Sequence, residues 1–206
     1  MGAGRPFRET PSIRGEALAL ARGGRVLFDA LSFAAEPGAY IEIRGANGAG
    51  KTSLLRVLAG FLKPRAGRVL IEPAEEPALA LHFVGHRNAL KSGADARAHL
   101  RYWAALFGGA GDDEALARFG LSAVADLPAR ALSQGEARRL ALARLLAAPR
   151  PIWLLDEPAA ALDGEGRAAL VDLIASHREQ GGLAIAAVHE PLGPAPSATI
   201  SLGGGR

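Results

Sequence analysis

The stretch Gly45-Ala46-Asn47-Gly48-Ala49-Gly50-Lys51-Thr52-Ser53 restricts what this chain can fold into more than any other part of it. It fits G-x-x-x-x-G-K-[ST], a pattern that carries meaning only between a strand and a helix. Both flanks are present: Ala39-Tyr40-Ile41-Glu42-Ile43-Arg44 reads as a strand, and Leu54, Leu55, Val57 and Leu58 give helical periodicity from Lys51 onward. Successive main-chain N–H groups aimed inward make an anion site, and glycines at 45, 48 and 50 allow the positive φ and close approach that such a cradle needs. The following helix places the positive end of its dipole under the same anion. Lys51 adds a mobile cation and Thr52 a hydroxyl for Mg²⁺. Lysine occurs only at 51, 63 and 91, every other basic residue being arginine, so a lysine at this point is not compositional background.

A second motif gives the cradle a reaction. Ile152-Trp153-Leu154-Leu155 is an apolar run that ends in Asp156-Glu157. Strands buried on both faces read as continuous hydrophobics, and ligand sites of open α/β sheets lie at the carboxyl ends of such strands. Asp156 is therefore expected beside the cradle, holding Mg²⁺ with Thr52 through the waters this ion retains. Glu157 is expected to face the terminal phosphate, where a carboxylate positions or deprotonates an attacking water. The two motifs together predict hydrolysis of a nucleoside triphosphate.

The remaining chain reads as an α/β fold. Residues 1–14 are expected to be a flexible leader, and residues 15–206 a single domain. Its core is assigned to 15–91 and 148–206, with a helical lobe at 92–147 inserted between them. Strand character at Glu16–Leu20, Arg25–Phe28 and Leu31–Ala35 predicts an antiparallel sheet ahead of the cradle. Further strands are predicted at Arg68–Glu72, Leu81–Val84, Leu183–Val188 and Thr199–Leu202, before a frayed Gly203–Gly205 tail. Ala94–Phe107, Asp113–Phe119 and Gly135–Ala147 carry the lobe's helical periodicity, and Gly164–Arg178 is a further amphipathic helix.

Composition excludes several chemistries. Without cysteine there are no disulfides, no thiol catalysis and no thiolate zinc site. The net charge of +3 is spread over arginines interleaved with acids, a solvated surface rather than a nucleic-acid stripe. No run approaches the roughly 20 apolar residues of a membrane span, so the chain is expected to be soluble and to dock on a membrane protein.

Leu132-Ser133-Gln134-Gly135-Glu136, at the start of the lobe's last helix, brings in a resemblance. In order with the other motifs it resembles the signature L-S-G-G-Q of the nucleotide-binding domains of ABC transporters, and the likeness spans almost the whole chain. It implies a P-loop NTPase core of the ABC ATPase type with an N-terminal antiparallel β-subdomain and an inserted helical lobe. It also implies ATP and Mg²⁺ as ligands, with two subunits sandwiching two ATP molecules. Lys51, Thr52, Asp156, Glu157 and His189 would then act within a subunit. Ser133, Gly135 and Glu136 would act across the interface, with Asp163 of Ala160-Ala161-Leu162-Asp163 matching the D-loop. His189, at the end of the last buried strand, matches the switch histidine that contacts the γ-phosphate. His82, His99 and His177 have no such company and are read as structural.

Three departures from the family pattern involve four positions. His86, in Gly85-His86-Arg87-Asn88, stands where the family has its Q-loop glutamine; Gln134 and Glu136 replace a glycine and a glutamine of the signature; and Arg22 stands where an aromatic usually stacks on adenine. A guanidinium can also stack on a base plane. Gly85-His86, Arg22–Phe28 and His189-Glu190-Pro191-Leu192 resemble the branch serving cytochrome c maturation, described as ATP-binding subunits of haem exporters. That resemblance implies a membrane subunit as partner, a place on the cytoplasmic face of the inner membrane, and contacts with other maturation proteins. The alternatives are the ATPase of another importer or exporter, a soluble ABC ATPase acting on DNA or ribosomes, and a nucleotide-binding regulator. The absence of a coiled-coil insertion, of a second fused ATPase domain and of a basic stripe counts against the DNA or ribosome class, and Glu157 with His189 counts against a regulator.

Overall fold

The computed structural model describes residues 7, 10–109 and 111–203. Two sheets organise it. Strands β1 (Ser12–Arg22) and β2 (Arg25–Ala35) form a hairpin closed by Gly23-Gly24, and β4 (Ala66–Glu72) adds to the other side of β1, giving an antiparallel sheet of order β2-β1-β4. A parallel sheet follows, of order β5-β6-β7-β3-β8. Its strands are β3 (Tyr40–Arg44), β5 (Leu81–Val84), β6 (Ile152–Asp156), β7 (Leu183–Ala187) and β8 (Ala198–Ser201). The helices are α1 (Lys51–Leu58), α2 (Ala96–Phe107), α3 (Asp112–Arg118), α4 (Gln134–Ala147) and α5 (Gly164–Glu179).

Side-chain alternation along the buried strands divides the interior in two. Every residue of β6 and β7 is buried, as the continuous apolar runs require. Ile152 and Leu154 point into a core shared with α1 and the antiparallel sheet, while Trp153 and Leu155 point into one shared with α4, α5 and the lobe. Each aliphatic side chain buried this way stabilises the fold by about 1.5–3 kcal/mol.

Two boundaries need correction. The proposed leader ends too late: β1 starts at Ser12, because Ile13 is fully buried and pairs with Ala35 on one side and Ile71 on the other. Most of the remaining leader, and the tail beyond Gly203, lie outside the described residues. The stretches at 25–28 and 31–35 are one strand, since the polar link between them is absorbed as a bulge with Ala30 at φ 48°. The other elements fall within a few residues of expectation, and α2, α3 and α4 form the lobe around Leu100, Leu116 and Leu140. No helix among the described residues is long and apolar enough to cross a membrane.

The three histidines read as structural behave so. His82 on β5 bonds the Ala148 carbonyl, and His99 accepts the Lys91 N–H. His177 on α5 stacks on Trp153 with centroids 3.6 Å apart and bonds the Pro151 and Leu183 carbonyls. Burial pushes both His82 and His177 down to about 4, so each is neutral in the folded protein at neutral pH.

Parallel order decides where function gathers. Strands β5, β6, β7 and β3 are neighbours, so the segments leaving their carboxyl ends meet on one edge. Those segments carry His86, Asp156-Glu157, His189 and the glycine-rich loop respectively.

Candidate active site

The glycine-rich loop leaves β3 and enters α1 with Gly45, Gly48 and Gly50 at φ 149°, 76° and 106°. Gly45 is forced by crowding as well as by conformation, because a Cβ there would lie 2.4 Å from the Leu202 carbonyl oxygen. Helices α2, α4 and α5 are capped by their own Asp95, Ser133 and Asp163 side chains, whereas α1, with Gly50 at its N-cap, and the short α3 have no side-chain cap. The first N–H groups of α1 are thus left for a ligand. Lys51 is buried, and its Nζ donates to the Gly45 carbonyl at 2.7 Å and the Ala46 carbonyl at 3.4 Å. A cleft of about 360 Å³ opens over the loop, lined by residues 46–53 together with Arg22, Leu27 and Glu157. Arg22 therefore borders the same cleft as the glycine-rich loop.

The carboxylates meet the cradle where β6 ends. Thr52 Oγ1 donates to Asp156 Oδ1 at 2.9 Å, which brings a carboxylate oxygen up to the hydroxyl of a residue that lines the cleft. Two hard oxygen donors and room for phosphate oxygens fit Mg²⁺, which takes few protein ligands. Glu157 is in the left-handed region at φ 49°, its N–H bonded to Ala187 O at 3.0 Å. Its carboxylate lies between two imidazoles, with His189 Nε2 2.8 Å from Oε1 and His86 Nδ1 3.4 Å from Oε2. The fold thus places His86 against the same carboxylate as His189, from a different strand.

The signature stretch is built differently. Ser133 caps α4 by accepting the Glu136 N–H at 3.2 Å, and Glu136 accepts the Ser133 N–H at 2.8 Å. The Ser133 bonds hold the Glu136 carboxyl below its ordinary range. Ser133-Gln134-Gly135-Glu136 is thus a capping box at a helix N-terminus, and none of it lines the cleft of the same chain. Asp163 accepts the Gly166 N–H at 2.7 Å and lies 3.5 Å from Arg139 of α4.

Two residues of this site escaped the sequence. Glu42 on β3 is fully buried and accepts from Tyr40 at 2.9 Å, from Arg44 at 2.8 Å and from the Leu192 N–H at 3.0 Å. Burial alone would raise its carboxyl, but these bonds outweigh it and bring the group below its usual range. It ties the segment after His189 back to the strand that feeds the cradle. Arg138 on α4 is almost wholly buried beneath Glu157 and donates to the Asp156, Glu157 and Pro158 carbonyls. An arginine close behind the signature serine was the available signal, but which carbonyls it meets is set by packing.

The family profile described as ABC transporter matches residues 28–160. The chain belongs to the ABC transporter family. It is 48% identical over 187 residues to the cytochrome c biogenesis ATP-binding export protein CcmA of Nitrobacter winogradskyi, covering 88% of this chain and 93% of that one. The CcmA of Rhizobium meliloti is 42% identical over 199 residues, covering 92% and 96%. Among solved structures, a putative ABC transporter ATP-binding protein from Pyrococcus furiosus superposes with a TM-score of 0.79 at 22% identity, over 93% of this chain and 97% of that one, a likeness of fold. The cbiO1 subunit of Clostridium perfringens, part of the ABC transporter complex cbiONQ, gives 0.70 at 26% identity over 88% and 80%. The ABC ATPase fold expected from the motifs is the fold observed.

Proposed function

We propose that this chain is the ATP-hydrolysing subunit of a membrane ABC transporter complex serving cytochrome c biogenesis. The observation that carries the reading is one cleft lined by the loop of residues 46–53, with Lys51 and Thr52, and by Glu157, while Asp156 is bonded to Thr52 next to it. High identity to proteins named CcmA supports the branch over another importer or exporter.

In this mechanism the loop amides of residues 46–53 and the Lys51 ammonium bind the β- and γ-phosphates and stabilise charge developing on the transferred group. Thr52 and Asp156 would hold Mg²⁺, which when bound neutralises phosphate-oxygen charge. Glu157 accepts the proton of the attacking water, and its oxygens are oriented by His189 and His86. Water then displaces ADP from the γ-phosphorus, leaving ADP and phosphate. Arg22 stacks on the base, giving modest base selectivity. Ser133, Gly135 and Glu136 face the nucleotide of a second subunit, and Asp163 lies beside that interface. We assign the described residues from Ser12 onward to one ABC ATPase domain, with the lobe at 92–147 as the insert.

A membrane subunit docks on the surface between His86–Leu90 and α2, where Tyr102 is exposed while Trp103 is stacked on Phe107. The chain would then lie peripherally on the cytoplasmic face of the inner membrane, in contact with other cytochrome c maturation proteins. The test is co-purification from membranes followed by identification of the bound integral protein, with Mg²⁺-dependent ATP binding measured on the purified chain. Recovery of the haem-export membrane subunit and loss of ATP affinity in Lys51→Ala are expected. A different membrane protein would move the chain to another transporter, and unchanged affinity in Lys51→Ala would overturn the site.

A further inference from the structure

The guanidinium of Arg138 is spent on main-chain and amide oxygens with no carboxylate among its acceptors. Nε donates to Pro158 O at 3.1 Å, and Nη2 to Asp156 O at 2.8 Å and Glu157 O at 2.7 Å. Nη1 donates to Gly85 O at 2.8 Å and Asn88 Oδ1 at 3.2 Å. All five N–H donors of the side chain are therefore used. Burying this charge is costly even with the Asp156 and Glu157 carboxylates nearby, and none of its hydrogen bonds goes to a carboxylate. The arrangement fits a different requirement, that of fixing the relative position of separate segments.

Those segments are the ones that meet at Glu157. Three consecutive carbonyls at 156–158 converge on one planar fork, which needs a sharp turn, and Glu157 makes that turn in the left-handed region at φ 49°. Gly85 and Asn88 flank His86, whose ring is 3.4 Å from the Glu157 carboxylate. The same guanidinium thus holds the backbone of the carboxylate and the loop that presents the imidazole. It is carried by α4, whose N-cap is Ser133, so a rotation or shift of that helix displaces the fork.

We infer that Arg138 is a positioning residue for hydrolysis, keeping Glu157 and His86 in register and linking that register to the helix bearing Ser133. The inference rests on Glu157 as the base that activates water. It touches neither nucleotide nor metal ligand side chains, so its removal disturbs the chemical step and spares binding. Misplacement of a reacting group by about 1 Å costs on the order of 100-fold in rate.

The test uses the full chain as wild type, Arg138→Lys, Arg138→Met, Glu157→Gln and the Glu157→Gln/Arg138→Met double variant. ATP affinity and steady-state hydrolysis are measured on each, with thermal unfolding to confirm folded protein. Arg138→Met is expected to bind ATP within about 3-fold of wild type while kcat falls about 100-fold, with Arg138→Lys recovering part of the loss. In the Glu157→Gln background, Arg138→Met is expected to change residual turnover by less than about 3-fold, because the carboxylate it positions is gone. Wild-type kcat in both single variants, or a full multiplicative loss in the double variant, overturns the inference. Should Arg138→Met fail to fold, Arg138→Lys decides: three N–H donors cannot serve five acceptors, and undiminished kcat there overturns it equally. Wild-type turnover by Glu157→Gln would instead remove the base assignment, and this inference with it.

Discussion

The cradle at 45–53 and the pocket around Glu157 open onto the same cleft but are built by opposite means. In the cradle the ligating groups are neighbours in the chain, and Lys51 bonds carbonyls only five and six residues away. Its shape follows from glycine φ angles and from the join of β3 to α1. Around Glu157 the groups come from four segments. His86 follows β5, Arg138 sits on α4, Glu157 follows β6 and His189 follows β7. The cradle is thus a local object that tolerates changes elsewhere, whereas the Glu157 pocket is a junction whose geometry depends on how core and lobe are packed.

Substituting the junction's central carboxylate tests the contrast most severely. Glu157→Gln should leave ATP affinity nearly intact, since the cradle is untouched, and cut kcat by about 10²–10⁴-fold while closed dimers accumulate. Nucleotide-binding and turnover assays with size-exclusion chromatography read both; turnover near wild type would mean another group supplies the base.

Acid should loosen the junction side. His82 and His177 titrate near 4 in the folded protein against an ordinary value of 6.5, so the unfolded chain takes up their protons first. Their contribution to stability is complete above about pH 6.5 and is lost as pH falls toward about 4, up to about 3 kcal/mol for each. Both pack under strands leading to the junction, His82 on β5 and His177 against Trp153 of β6. Denaturant unfolding between pH 7.5 and 4.5 should show this slope, and His177→Asn should flatten it.

A smaller effect is expected at His86. Its ring is largely exposed and meets Glu157 at 3.4 Å, so His86→Ala should keep ATP affinity and lower turnover about 10-fold, with coupling to the membrane subunit impaired. Lost affinity would place His86 with the cradle instead. Smallest of all, Ser133→Ala removes the cap of α4 and should reduce the stability of the isolated chain by about 1 kcal/mol, seen as a shift in the unfolding midpoint.

Legibility in the sequence follows the same division. The strand ahead of Gly45, the helix after it and the continuous runs of β6 and β7 were readable because each is set by neighbouring residues or by burial on both faces. The start of β1 is hidden in the sequence because Gly2, Gly4 and Pro6 give the preceding stretch a leader's composition, while Ile13 is buried by partners more than twenty and fifty residues away. The bulge at Ala30 reads as a break for a similar reason, as a short polar link looks the same in a loop and in a paired strand.

Residue types in order along the chain were enough to specify a phosphate-binding loop, a carboxylate pair after a buried strand and membership of an ATPase family. Those features are short-range, and glycine freedom, apolar runs and charge carry them without reference to distant contacts. Three-dimensional packing alone settled that Glu157 lies between His86 and His189, that Glu42 anchors the Leu192 segment, and that Arg138 grips three successive carbonyls. A hydrogen bond between separate segments, from 18 residues apart for Arg138 and Asp156 to 150 for Glu42 and Leu192, leaves no local pattern, because its partner is chosen by how strands and helices pack against one another.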